Sequence, residues 1–383
     1  MKTIGVHRFA SRSVAISRSA RVFASLRMTL FGVAALALAV LAGISACAKI
    51  DGPQQGDDGW NDINGDRPIR FSANIATPAT KTDQPISPNT SNTTFGVFAT
   101  KANGWSNSTT SNFMFNEDVH YDGTTYSYAP VKYWPNNGDR ISFWAYSPYT
   151  TEAADAIQFR KLADPNTIYT NTTTNIPEIK YTVLSGRTDL LVSGPVTNKA
   201  KQKINEKISF SFHHALSKIS FKVKKASADP VGYNYTVTLN GIGFKWIYKS
   251  GLHRSVNNTH NSTPWTDLDD ADNTVFYAYN PATGMGVTQT SAVDVSGATV
   301  MLIPQNLETL GAKLYVEYTV SLNGGTPQTY QEEASLDISP SEVDVWQEGK
   351  QYTYTISITP GQPIIFTVTC DTWGDVYNWH LTN

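Results

Sequence analysis

ISFSFHHALSKISFKV, residues Ile208–Val223, contains two alternating apolar runs around a short polar interruption. Phe210 and Phe212 share one parity, and Ile219, Phe221 and Val223 the other. Period-two alternation is the mark of half-buried strands. The parity shifts across His213–Ser217 with neither Gly nor Pro to turn the chain. This predicts one long strand, bent or bulged there so that its apolar face stays inward. The stretch lies near the middle of the chain between two strand-rich blocks, and reads as the opening of a second domain. His213 and His214, being adjacent, would face opposite sides and could not chelate one ion together. A hydrogen-bonded histidine filling a bend is expected instead.

Upstream, Ile69, Phe71, Ala73 and Ile75 fall on one face of a first strand. A Pro- and Thr-rich loop, Ala76–Thr94, separates it from the Phe95–Thr100 strand. Tyr133-Trp134-Pro135 and Ile141–Tyr146 flank Asn136-Asn137-Gly138-Asp139, which predicts a hairpin. The aromatic residues here could form a sugar-stacking platform, but their alternation favours the bulk of a sandwich core. Asp189-Leu190-Leu191-Val192 is the last strand before a Lys- and Asn-rich linker, Thr197–Lys207. Downstream strands are expected at Tyr233–Leu239, Gly243–Tyr248, Val275–Tyr279, Ala298–Ile303, Leu314–Leu322, Tyr330–Ile338, Gln351–Ile358 and Ile364–Cys370. Asn323-Gly324-Gly325 is a hairpin turn between two of them. Many short strands with no three-turn amphipathic helix predict an all-β chain of sandwiches.

Residues 1–27 carry six basic and no acidic residues, and Leu30–Ile44 is apolar or small. This is a secretory signal pattern, with a core too short for a comfortable membrane span. Ile44-Ser45-Ala46-Cys47 resembles a bacterial lipobox, making Cys47 the expected lipidation site. Met28 is an alternative start that leaves Cys47 in place. Without residues 1–46 the chain has 24 basic and 32 acidic residues, a net charge of −8. That acidity disfavours nucleic acid as a partner. The expected organisation is a signal over 1–46, a flexible tether over 47–66, and two β-sandwich domains over 67–205 and 206–383. With Cys47 acylated, Cys370 is the one remaining thiol, so no internal disulfide is expected.

Catalytic signatures are missing from the sequence: there is no nucleophile elbow, P-loop, HExxH or dinucleotide fingerprint. The acidic run Asp267–Asp272 lacks the Gly and terminal Glu of an EF-hand and reads as a solvated loop. Cys370 reads as a small core residue. No catalytic residue, cofactor or metal is expected; binding or assembly is the class left open.

Ile69–Ile75, Tyr133-Trp134-Pro135, Ile141–Pro148, Asp189–Val192, Phe212–Val223, Leu302-Ile303-Pro304-Gln305 and Trp346–Ile358 occur in an order that resembles the fimbrillin-like proteins of the Bacteroidales. The resemblance spans about Ile69 to Trp373. It implies two tandem transthyretin-like Greek-key β-sandwiches in a lipoprotein precursor anchored at the outer membrane. It further implies a protease that cuts after Arg or Lys and releases the first strand. A neighbouring subunit's strand would then fill the groove. Arg67 precedes Pro68, which obstructs such a cut, so Arg70, Lys81 and Lys101 are the candidates; release of the whole strand favours the latter two. The donor strand is expected in Val368–Asn383, carried by Val376, Trp379 and Leu381. The implied function is a stalk or tip subunit of a cell-surface fimbria that supports adhesion, partnered by like or unlike fimbrial subunits. The alternative is a non-polymerising surface lipoprotein that binds glycan or host matrix, with a host or bacterial surface glycan or protein as partner.

Overall fold

The computed structural model describes residues 66–75, 84–85, 94–101, 110–151, 156–161, 164–173, 177–254, 264–337 and 343–373. Every regular element among them is a β-strand, as the alternating patterns require. They all belong to one unit, Gln55–Asn383.

The N-terminal sheet has nine strands. From one margin the order is Gln84–Pro85, Phe71–Ile75, Ile208–His214, Leu191–Ser193, Ile141–Ser147, Thr94–Lys101, Met114–Tyr121 and Tyr126–Ser127; Val196–Lys199 also pairs with Ile141–Ser147. The sheet curls until Phe71–Ile75 touches Tyr126–Ser127. Its inner face encloses a core of Phe71, Phe95, Val97, Phe143, Phe210 and Phe212. Its outer face carries Phe98, Trp144 and Tyr146 onto Phe159, Ile179 and Tyr181 of a second sheet. Thr94–Lys101 and Ile141–Ser147 are therefore covered on both faces, and read as continuous apolar runs rather than alternating ones.

The C-terminal half pairs two five-stranded sheets face to face. One holds Ser217–Lys225, Lys350–Ile358 and Ile365–Thr372, with Val293–Asp294 and Val300–Leu302. The other holds Tyr235–Lys245, Lys313–Leu322 and Gln328–Ser335, with Phe276–Tyr279 and Met285–Gly286. Phe221, Phe244, Trp346 and Tyr354 pack between them, and Trp346 Nε1 donates to Tyr354 Oη at 3.0 Å. The expected Asn323-Gly324 turn joins Lys313–Leu322 to Gln328–Ser335, with both residues at positive φ (50° and 74°).

Three expectations change. Ile208–Val223 is not one bent strand. Ile208–His214 runs parallel to Phe71–Ile75 in the first sheet, whereas Ser217–Lys225 belongs to the C-terminal sheet. The parity shift marks a change of sheet, with the crossing at Ala215-Leu216. The halves also interlock, because Ser250–His253 returns to pair with Glu178–Thr182. Second, Tyr133 and Ile141 do not form a hairpin. Tyr133 bridges Pro68, Trp134 N donates to Arg67 O at 2.9 Å, and Ile141–Ser147 lies between other strands. Third, Cys370 is exposed, its strand being the sheet's margin among the described residues.

Candidate functional site

Phe71–Ile75 is held by few partners for a strand whose side chains are so well buried. It pairs in parallel with Ile208–Phe212, in register Phe71↔Ile208 to Ile75↔Phe212. On its other side, among the described residues, Gln84 and Pro85 pair with it, opposite Ile75 and Asn74. Parallel pairing is slightly the weaker kind per residue. What anchors the strand is its inward face. The Phe71 ring centroid lies 5.3 Å from Tyr128, 5.6 Å from Phe210, 5.9 Å from Phe143 and 6.3 Å from Phe95. Ile69 and Ala73 are buried beside it. Each large apolar side chain so buried contributes about 1.5–3 kcal/mol. Lifting the strand out would leave a trough floored by aromatic rings, alongside an unpaired edge of Ile208–His214.

Polar contacts fix the strand's entry. Tyr128 Oη donates to Ile69 O at 3.0 Å, and Ile69 N donates to Lys132 O at 2.9 Å. Burial pushes the hydroxyls of Tyr128 and Tyr126 up to about 12. Arg67 is buried and donates through Nη1 to Gln202 O at 3.0 Å.

The candidate cleavage residues differ in what a cut would release. Arg70 is exposed, and its carbonyl accepts from Ile208 N at 2.8 Å. A cut there removes Ile69 but leaves Phe71–Ile75 seated. Lys101 is exposed at the end of Thr94–Lys101, 3.5 Å from Asp139. A cut there would release an interior strand, with Phe95, Val97 and Phe98 from both cores. Lys81 lies outside the described residues, as do Cys47, Val376, Trp379 and Leu381.

A second set of polar groups gathers where the chain crosses between sheets, and the hydrogen-bonded histidine expected there is His214. His214 is buried, its ring N–H (Nδ1) donating to Asp189 Oδ2 at 2.8 Å. Its ring stacks on Trp373 at 3.7 Å and 12°. His253 Nε2 lies 2.9 Å from Glu348 Oε1, and Trp265 Nε1 donates to Ala215 O at 2.8 Å. These pairs fasten the crossing. The signal for the first was an Asp at the head of the apolar Leu190-Leu191-Val192 run, where an acid needs a partner.

In the aromatic stretch Trp134, Trp144 and Tyr146 are buried in the core, whereas Tyr133 is exposed. On the outer face of the C-terminal sheet a shallow polar depression of about 560 Å³ is lined by Ser220, Lys222, Asp294, Thr353, Thr355 and Thr369, among others. Asp272, in the acidic run, is exposed; hydrogen bonds from Thr274 and Lys249 hold its carboxyl down to about 2. Among the described residues no group of three or more His, Cys, Asp or Glu is placed to hold a metal ion, and no helix is long and apolar enough to cross a membrane.

The sequence profile described as Fimbrillin-like matches residues 77–373. Fimbrium subunit Fim1C of Phocaeicola vulgatus is 25% identical over 185 residues, covering 44% of this chain and 47% of that protein. The chain thus spans about half the length of the curated relative it matches. Among solved structures, a fimbrial protein from Bacteroides vulgatus aligns with 80% of this chain and 100% of its own, at 20% identity and a TM-score of 0.59. That likeness bears on the fold alone.

Proposed function

Because the chain belongs to the fimbrillin-like family, we propose that it is a structural subunit of a cell-surface fimbria, in the stalk or at the tip, supporting adhesion. Its two halves are tandem transthyretin-like Greek-key sandwiches. The precursor is exported as a lipoprotein through Cys47 and held at the outer membrane. Proteolysis after Lys81 frees the first strand, and a strand from a neighbouring subunit takes its place. The observation that carries this reading is the seating of Phe71–Ile75: two short backbone pairings outside, an aromatic trough inside. Strand addition supplies both parts of such a contact, main-chain hydrogen bonds for affinity and alternate side chains for register. Of the three basic candidates, only a cut at Lys81 would free the whole strand and leave the interior sheet intact. Val376, Trp379 and Leu381 are the proposed donor residues, with other fimbrial subunits as partners.

Mild treatment of the full chain with an Arg/Lys-specific protease tests this. The expected products are a chain beginning at Thr82 and an SDS-resistant ladder that collapses on boiling. A chain that stays monomeric after that cut would overturn the assembly step.

A second reading has its own support. The hydroxyl-rich depression around Thr353 and Thr369 suits a polyhydroxylated ligand, as a non-polymerising surface lipoprotein that binds glycan or host matrix would require. Thr353→Val with unchanged glycan binding would count against it.

A further inference from the structure

The outer face of the C-terminal sheet that holds Ser217–Lys225 carries side chains that packing does not explain. Every second residue of that strand is buried, and Lys218, Ser220, Lys222 and Lys224 alternate with them on the outside. Three lysines thus share one side of one strand, over about 20 Å at about 3.3 Å per residue. Lysines commonly guard sheet edges, but this strand is interior. Lys350–Ile358 pairs on one side of it, and Val293–Asp294 and Val300–Leu302 on the other. Nor is the row neutralised by its surroundings. Lys222 Nζ lies 3.6 Å from Asp294 Oδ1, an exposed pair of the kind that contributes little. Lys218 stands over the Trp373 ring at 5.7 Å.

Hydroxyls lie beside this basic row, in register with it. Ser220 stands opposite Thr353, and Thr353 opposite Thr369; Lys222 stands opposite Thr355, and Thr355 opposite Thr367. Neighbouring strands are about 4.8 Å apart, so the lysines pass directly into a grid of donor–acceptor groups. Thr is a good strand former, and the grid alone would be ordinary. Here it floors the depression of about 560 Å³, to which Asp294, Ser296 and Thr299 add a wall.

We propose that this face binds an acidic polysaccharide, with its carboxylate or sulfate groups on Lys218, Lys222 and Lys224 and its hydroxyls on the Thr grid. The proposal rests on the glycan reading of the depression and adds to it the charge of the ligand. A Thr hydroxyl both donates and accepts, as a sugar hydroxyl does. A lysine ammonium is a compact point charge on a flexible stem, suited to anionic groups that recur along a chain. Asp294 on one flank and Asp371 on the other disfavour anions there and confine them to the basic row.

Matched polymers test the proposal: immobilised polygalacturonate and its methyl ester, and dextran sulfate and dextran. The full chain carrying Cys47→Ser is expected to bind at least one charged polymer roughly tenfold or more above its neutral counterpart, and to be released by salt. Binding to polygalacturonate alone assigns the anion as carboxylate; binding to dextran sulfate alone assigns it as sulfate ester. Lys222→Gln with Lys224→Gln is expected to weaken that binding roughly tenfold or more, whereas Lys222→Arg with Lys224→Arg keeps it. Lys201→Gln with Lys203→Gln, on the loop before Ile208–His214, is expected to leave it unchanged. Equal binding to charged and neutral polymers, lost with Thr353→Val, would overturn the acidic ligand and leave the glycan reading standing. Charged-polymer binding that survives the Gln changes at 222 and 224, or is lost with those at 201 and 203, would overturn the site. Binding to none of the four would overturn this proposal and the glycan reading together.

Discussion

Phe71–Ile75 and Ile365–Thr372 occupy similar places, each beside or at the margin of a sheet, and are stabilised in opposite ways. The first has five parallel partners and a side-chain face sunk among aromatic rings. The second has eight antiparallel partners and a face that is half-buried at most. One strand is held by its core, the other by its ladder. A strand held by its core leaves a shaped apolar trough when it goes, which another strand can read. A strand held by its ladder offers a free row of backbone groups to whatever comes next. In the proposed assembly the first strand departs and its trough receives the neighbouring subunit's strand, while the second stays in its ladder.

Truncating the two strands should separate these roles. Phe71→Ala is expected to cost about 3–5 kcal/mol, the range for a buried Phe, measured by chemical denaturation. A loss below about 1 kcal/mol would mean the trough is not packed. His214→Ala, at the crossing between the halves, is expected to cost about 1–3 kcal/mol, because it strands the Asp189 carboxylate and unstacks Trp373. An unchanged midpoint would remove the crossing from the account. High pH should strike the trough as well. Tyr126 and Tyr128 have hydroxyls raised above the unfolded value near 10 to about 12. A raised acid favours the fold while neutral in both states. That stability is present below about pH 10 and is lost as pH climbs to about 12. A pH titration of the melting temperature should fall across that window, and Tyr128→Phe should flatten the fall. The smallest effect is expected at Ile365, which is 66% exposed: Ile365→Ala should stay within about 0.5 kcal/mol. A larger loss would show that this edge is covered more fully than the described residues make it.

The strands were readable because alternation and continuous apolar runs report how many faces are buried. Family membership was readable too, from motifs scattered between Ile69 and Ile358. Connectivity was less so. The parity shift at His213–Ser217 was visible, but bending within a strand and passing between two sheets produce the same pattern of residues. Only the partners distinguish them: Phe210 beside Phe71, Phe221 beside Tyr354. The Asn136–Asp139 turn misled for a related reason. A turn signal reports local backbone preference, whereas Trp134 pairs with Arg67, far away in sequence. Cys370 looked like core from its alternation; being at a margin is a property of the sheet, which no window of residues contains.

N-terminal sequencing, with intact mass, of the protein harvested from the cell surface addresses the central claim most directly. The account predicts a chain beginning at Thr82, without the Phe71–Ile75 strand. Chains that all retain Phe71 behind an acylated Cys47 would contradict it.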